Sequence, residues 1–353
     1  MFRITARTTT CFGIAACLTA GVTAADAQLI EAEAPATLDR WMYPFNGSPG
    51  TRLSSSTFGA PRLEGFDDHD AQFIVGFRTD SLVPTSLAAS AYRVVSATVY
   101  ATVSNDAQFR YDPTYDNQNT YDNQEEPPYP GLVPDPDAGR PVSLWGIGYR
   151  EGYTLQTWTE TTPFGFNPTV PPAQGARTAF GAVFDPAGTP IDISNHLKAE
   201  IDRTPLAIGR NPDLTPGDLV PFDSTFAFEV NLCDPGTRAY LRESLSAGEL
   251  RFGITSLHPA SGGPDGGSGD PSYPIWYTRE NPIAQILGLQ PRLEIVVRVG
   301  SAADYNGDGQ RNFFDISTFI ADFNAGNPAA DVNTDCLLNF FDISAFIAEF
   351  NTP

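Results

Sequence analysis

Near its C-terminus the chain writes one twelve-residue pattern twice, which restricts this tail to a fold made of two equivalent units. Asp304-Tyr305-Asn306-Gly307-Asp308-Gly309-Gln310-Arg311-Asn312-Phe313-Phe314-Asp315 recurs, 331 − 304 = 27 positions later, as Asp331-Val332-Asn333-Thr334-Asp335-Cys336-Leu337-Leu338-Asn339-Phe340-Phe341-Asp342. In both copies oxygen-bearing side chains occupy positions 1, 3, 5, 9 and 12. Such a ring of hard donors suits a calcium ion, with a backbone carbonyl from position 7 and a glycine at position 6 for the sharp turn. The first loop offers Asp304, Asn306, Asp308, the Gln310 carbonyl, Asn312 directly or through water, and Asp315. The second offers Asp331, Asn333, Asp335, the Leu337 carbonyl, Asn339 and Asp342. Turn-forming Asp and Asn would explain one such loop but hardly two in the same register. Cys336 departs from the pattern. Position 6 calls for a positive φ, which costs a residue with a Cβ about 1–2 kcal/mol, and a soft thiol is no calcium ligand. Two calcium sites are therefore expected, the second weaker.

From loop position 10 each copy continues as Phe-Phe-Asp-Ile-Ser-x-Phe-Ile-Ala-x-Phe-Asn. Ile316, Phe319, Ile320 and Phe323, matched by Ile343, Phe346, Ile347 and Phe350, have the i, i+3, i+4, i+7 spacing of an apolar helical stripe. Helices are predicted over 313–323 and 340–350, packed stripe to stripe. Residues 301–353 carry eight acidic side chains against Arg311, a net charge of 1 − 8 = −7, of which two calcium ions would offset four.

The whole chain has 353 residues and a formal net charge of −21. Recognition of phosphates needs clustered Lys and Arg, so neither nucleic acid nor an anionic membrane is an expected partner. Arg3 and Arg7, the apolar run 11–22 and Ala25-Asp26-Ala27 predict a signal peptide over residues 1–27, with export of a soluble chain that begins near Gln28. Localisation is then secreted, extracellular or at the cell surface. Beyond that segment no apolar run reaches the roughly 18 residues of a membrane span. Cys233 and Cys336 are the cysteines left. They pair with each other or both stay free; a disulfide framework is excluded.

Residues 28–300 are rich in Pro, Gly, Asn and Asp between short alternating apolar segments, the pattern of a many-stranded β-sandwich. Strands are predicted over 71–78, 92–103, 143–149, 225–232, 249–256, 274–278 and 292–299, and helices over 193–201 and 237–246. In the last strand Leu293, Ile295, Val297 and Val299 face one way and Arg292, Glu294 and Arg298 the other, towards water. A long surface loop, either disordered or functional, joins the strands near Tyr111 and Ser143. The segment 262–270 is flexible by composition.

The ordering of Phe77-Arg-Thr-Asp-Ser-Leu-Val-Pro84, Val94-Val-Ser-Ala-Thr-Val99, Phe226-Ala-Phe-Glu-Val230, Leu250-Arg-Phe-Gly-Ile254, Tyr277-Thr-Arg-Glu280 and Pro291-Arg-Leu-Glu-Ile295 resembles the DNRLRE-type secreted β-sandwich. That resemblance implies a jelly-roll-like, carbohydrate-binding-type domain in a noncatalytic position. Residues 304–351 resemble a dockerin, the duplicated calcium module with which secreted bacterial proteins assemble. A strand rather than a helix precedes the first loop, and position 12 is Asp315 or Asp342 instead of the Glu of an ordinary EF-hand. The dockerin resemblance implies a cohesin-like or other surface-protein partner. Where dockerins of cellulose-degrading assemblies carry a small polar pair at positions 10 and 11, this chain has Phe313-Phe314 and Phe340-Phe341. An exposed Phe on so small a unit would suit a protein contact.

Catalytic signatures are missing from the sequence. His69, His196 and His258 sit in unrelated contexts, without a Gly-x-Ser-x-Gly elbow, a His-Glu-x-x-His or a Cys-x-x-Cys. Asp67-Asp68-His69-Asp70 reads as a solvated turn before a strand rather than a metal site. Trp41, Tyr43, Trp145, Trp158, Trp276, Tyr115, Tyr121 and Tyr129 supply flat rings for a sugar face, although most Trp in a sandwich fill the core. The expected protein is mainly β: a jelly-roll-like antiparallel sandwich over 28–300, carbohydrate-binding or structural, tethered by a small helical dockerin-like module over 301–353. The alternative is a glycoside hydrolase, or another polysaccharide-acting enzyme, tethered the same way, since two carboxylates facing a sugar would suffice.

Overall fold

The computed structural model describes residues 28–122, 128–165, 175–262 and 271–352. The predicted signal peptide and nearly all of the 262–270 segment lie outside the described residues. In chain order the strands are β1 (Gln28–Pro35), β2 (Leu38–Met42), β3 (Ser54–Ser56), β4 (Gln72–Arg78), β5 (Tyr92–Thr102), β6 (Val142–Tyr149) and β7 (Ala179–Phe184). They continue as β8 (Pro190–Asp192), β9 (Ala207–Ile208), β10 (Thr225–Glu229), β11 (Glu249–Ser256), β12 (Ile275–Tyr277) and β13 (Arg292–Val299). Helices α1 (Pro235–Ala247) and α2 (Pro282–Leu287) interrupt the later strands, and α3 (Phe313–Ala325) and α4 (Phe340–Phe350) follow them.

The fold is mainly β. One antiparallel sheet has the order β1-β13-β5-β10, and a second runs β2-β4-β11-β6-β7-β8 with β9 paired to β6. Alternation places Val99, Phe226, Phe228, Leu293, Ile295 and Val297 of the first sheet in one core with Phe73, Val75, Phe77, Leu144, Phe252 and Ile254 of the second. Helix α1 starts where Asp234 accepts the Thr237 amide at 2.6 Å with Pro235 in the first turn, and it ends at Gly248 with φ 83°. Its Tyr240, Leu241 and Leu245 extend the core.

Several expectations change once the chain is folded. Residues 193–201 form successive turns instead of a helix, because Asp68 Oδ2 accepts the Leu197 and Lys198 amides at 2.9 and 3.0 Å and holds that backbone open. Asp67-Asp68-His69-Asp70 is buried rather than solvated. Asp67 is paired with the fully buried Arg177, whose Nη2 and Nε stand 2.7 and 3.1 Å from Asp67 Oδ2. His69 and His196 stack with ring centroids 5.1 Å apart, beside Trp145, so their contexts are shared. Trp145, Trp158 and Trp276 are core residues, each indole N–H donating to a threonine hydroxyl, of Thr255, Thr178 and Thr57 respectively. Tyr121 is buried as well, whereas Tyr115 is exposed and Trp41, Tyr43 and Tyr129 are half-buried. Arg298, placed by period 2 on the wet face of β13, is buried because the tail covers it: the Tyr305 ring lies 4.0 Å from its guanidinium carbon, and Nη1 donates to the Tyr305 carbonyl.

Candidate metal centre at the C-terminus

Chain direction fixes the start of the tail. Val299 ends β13, the Gly300 amide donates to Ala91 O at 2.9 Å, and the first loop begins with no intervening helix. In that loop Asp304 Oδ1 accepts the Gly307 and Asp308 amides at 3.1 and 3.2 Å, while Oδ2 accepts Gly309 at 3.0 Å. Asp315, fully buried, accepts the Asn306 amide at 3.1 Å and the Asn312 amide at 2.8 Å. The second loop repeats this arrangement except for the bond from position 4. Asp331 accepts the Asp335 and Cys336 amides at 3.1 and 2.8 Å, and buried Asp342 accepts Asn333 and Asn339 at 3.3 and 2.9 Å. Position 9 also caps each helix, since Asn312 and Asn339 bond the first helical turn and Asp315 and Asp342 close the capping boxes.

The loops thus draw their first and twelfth carboxylates inward on backbone N–H groups. In loop two the carboxylates of Asp331, Asp335 and Asp342 come within 4.8 Å of one another, a grouping that could hold a metal ion. Burial, together with the charge of Asp342, pushes the Asp331 carboxyl above its ordinary value. The donors at the assigned positions are all oxygens, which fits a hard cation and not a soft one. Gln310 and Leu337 stand at position 7, where the carbonyls of both accept an Asn side-chain amide, from Asn312 at 3.2 Å and Asn339 at 3.1 Å.

Backbone strain separates the two loops. Positions 4 and 6 are left-handed in both, at Gly307 and Gly309 with φ 74° and 79° and at Thr334 and Cys336 with φ 60° and 65°. Two residues with a Cβ in that region, each about 1–2 kcal/mol, make loop two the costlier one to close. Cys336 has a second role: it forms a disulfide with Cys233, 103 residues earlier, just before α1. Pairing therefore links loop two covalently to the sandwich.

Helices α3 and α4 pack through Phe319 and Phe346, whose rings stack at 4.3 Å, with the Tyr305 ring edge-on to both. Phe323, Ile343 and Phe350 join them. The stripes are narrower than predicted, because Ile316, Ile320 and Ile347 are exposed. So are both Phe pairs: Phe313 is 72%, Phe314 66%, Phe340 71% and Phe341 67% exposed. The small core is already filled by the aromatic trio, which leaves this apolar surface uncovered.

A second acidic group lies in the sandwich, where sequence reasoning placed no site. Asp39, Glu160 and Glu280 bring carboxylates within 4.8 Å of one another. Arg279 holds Glu160 through Nε and Nη2 at 3.1 and 2.9 Å and lies 2.9 Å from Glu280, while its amide donates to Asp39 Oδ2 at 2.6 Å. Burial, with Glu280 and Glu160 adding like charge, pushes the Asp39 carboxyl from 3.8 up to about 8. The folded chain then keeps a proton that the unfolded chain releases, so this group makes stability fall as pH rises from about 4 to about 8. Asp39→Asn keeps an acceptor for the Arg279 amide and should remove that slope. Urea midpoints measured at several pH values in this window should decline less for the variant; parallel declines would contradict the assignment.

No helix among the described residues is long and apolar enough to cross a membrane. No protein-family model matches the chain, and no curated protein matches it.

Proposed function

We propose that the chain is a secreted, noncatalytic β-sandwich protein, carbohydrate-binding or structural, attached to a surface protein or assembly by a C-terminal dockerin-like calcium module. The pair of equivalent oxygen-lined loops, which share the amide bonds of positions 5 and 6 to the first carboxylate and of positions 3 and 9 to the last, carries this reading. Asp304, Asn306, Asp308, Gln310, Asn312 and Asp315 would hold one ion, and Asp331, Asn333, Asp335, Leu337, Asn339 and Asp342 the other. The ion supplies positive charge that lets inward-facing carboxylates stay close, which orders the loops and presents the helices. Phe313, Phe314, Phe340 and Phe341 favour a partner with an apolar groove, in place of the polar contact of a cohesin.

Calorimetry on the chelator-stripped chain tests the reading. Calcium uptake is expected by about 1 mM, together with protection of residues 301–352 from protease, and Asp304→Ala should weaken uptake more than Asp331→Ala. Absence of heat and of protection would sink the proposal.

One observation favours the hydrolase as a second reading. Asp39, whose carboxyl burial pushes up to about 8, is gathered with Glu160 and Glu280, and a raised acid beside further carboxylates is the kind of grouping glycoside hydrolysis uses. Trp41 lies two residues on along β2 and so projects from the same side as Asp39. Incubating the chain with a panel of polysaccharides decides between the two: retention without new reducing ends supports the binder, and release that Glu280→Gln abolishes supports the enzyme.

A further inference from the structure

The chain between β5 and β6 lacks apolar periodicity, yet its described residues, 103–122 and 128–141, bring acidic side chains together. Asp112, Asp116 and Asp137 each bring a carboxylate oxygen within 4.8 Å of the others. Asp112 is only 3% exposed and Asp116 6%. Asp112 Oδ1 accepts the Thr114 amide at 2.8 Å and hydroxyl at 2.6 Å, whereas Oδ2 is buried with no hydrogen-bond partner. A carboxylate oxygen taken from water without a partner is a costly feature, and one that a bound cation removes.

Proton and charge counts point the same way. The Thr114 hydroxyl lies 2.6 Å from Asp112 Oδ1 and 3.0 Å from Asp137 Oδ2, but it has a single proton and can satisfy only one of them. Arg140 supplies the positive charge at hand, pairing with Asp116 at 3.0 Å and also with Asp135. Asp112, Asp116, Asp135 and Asp137 against Arg140 leave 1 − 4 = −3.

We propose that Asp112, Asp116 and Asp137 form a binding site for a hard divalent cation of the calcium class, separate from the C-terminal loops. The donors are oxygens on irregular backbone, and calcium accepts such donors singly or in pairs in flexible geometry, whereas magnesium demands a near-regular octahedron. Asp112 Oδ2 becomes a ligand, and the ion ties the beginning of the segment to its end. Between those ties lie Tyr115, Gln118 and Tyr121, which line a small cavity with His69, Trp145 and His196. The cation thereby holds these side chains over the buried histidine pair. None of this depends on calcium in the tail.

The test uses the full chain, stripped with chelator and titrated with calcium chloride, read by native mass spectrometry and by protease cleavage within residues 112–137. Asp137 is exposed, so Asp137→Asn removes a ligand without opening the core; an Asp304→Ala/Asp331→Ala double variant disables the tail loops instead. Relative to the parent, Asp137→Asn should bind one ion fewer, and protection of the segment should need about tenfold more calcium. The tail variant should protect the segment as the parent does. Equal ion counts and equal protection in parent and Asp137→Asn would overturn the site, as would protection lost in the tail variant alone or a segment that calcium does not protect at all.

Discussion

Replacing both Cys233 and Cys336 with serine is expected to destabilise the protein by up to about 4–5 kcal/mol, the chain-entropy value for closing a loop of about 100 residues. The bond spans 103 residues, encloses β11, β12 and β13, and joins the start of α1 to the strained corner of loop two. Without it the tail is held to the sandwich by noncovalent contacts, chiefly Arg298 with Tyr305. A lower urea midpoint with the largest loss of protection in residues 301–352 is the expected outcome. An unfolding free energy within about 0.5 kcal/mol of the parent would show that the tie contributes nothing. Cys336 stands at φ 65°, so Cys336→Gly in the Cys233→Ser background should bind calcium more tightly than Cys336→Ser does, by up to about 1–2 kcal/mol.

Breaking the Arg177–Asp67 pair is the second large effect. Arg177 is fully buried; besides Asp67 it reaches the Asp70 carbonyl at 3.1 Å and the Met42 carbonyl at 3.4 Å. Although burial works to raise it, Arg177, Asn195 and the Gly175 amide hold the Asp67 carboxyl below its ordinary value. Removing one partner strands a charge in the interior, so Asp67→Ala or Arg177→Met should each cost about 3–5 kcal/mol. The double variant should lose much less than the sum, because no unpaired charge remains. Additive losses in chemical denaturation would argue against a coupled pair. The sign with pH follows from the depressed carboxyl: its contribution is complete above about pH 4 and disappears as pH falls further.

Much of the β framework was legible in the sequence. The strands predicted over 249–256 and 292–299 have those same bounds in β11 and β13, because alternation of apolar and polar side chains is a local property that either sheet can use. Helix 193–201 failed for the converse reason. Its apolar residues were spaced acceptably, but Asp68, more than a hundred residues away, took the backbone amides that a helix would have used. Arg298 illustrates a subtler case: its place in the alternation was correct, and only the docking of Tyr305 turned an outer face into an inner one. In the tail, the spacing of oxygen donors and the positive φ at Cys336 were readable from twelve-residue windows. The exposure of Ile316, Ile320 and Ile347 was not, since a stripe records which residues are apolar and not how many of them the opposite helix can cover.

What the sequence alone determined is whatever depends on near neighbours: strand periodicity and the doubled loops with their oxygen donors at fixed spacing. Tertiary structure decided whatever needs distant residues at one point in space. It paired Cys233 with Cys336, stacked His69 on His196, and brought Asp39, Glu160 and Glu280 into one group and Asp112, Asp116 and Asp137 into another. The physical reason is that backbone geometry couples residues within about one helical or strand repeat, whereas packing of the two sheets sets which remote side chains share the same low-dielectric volume.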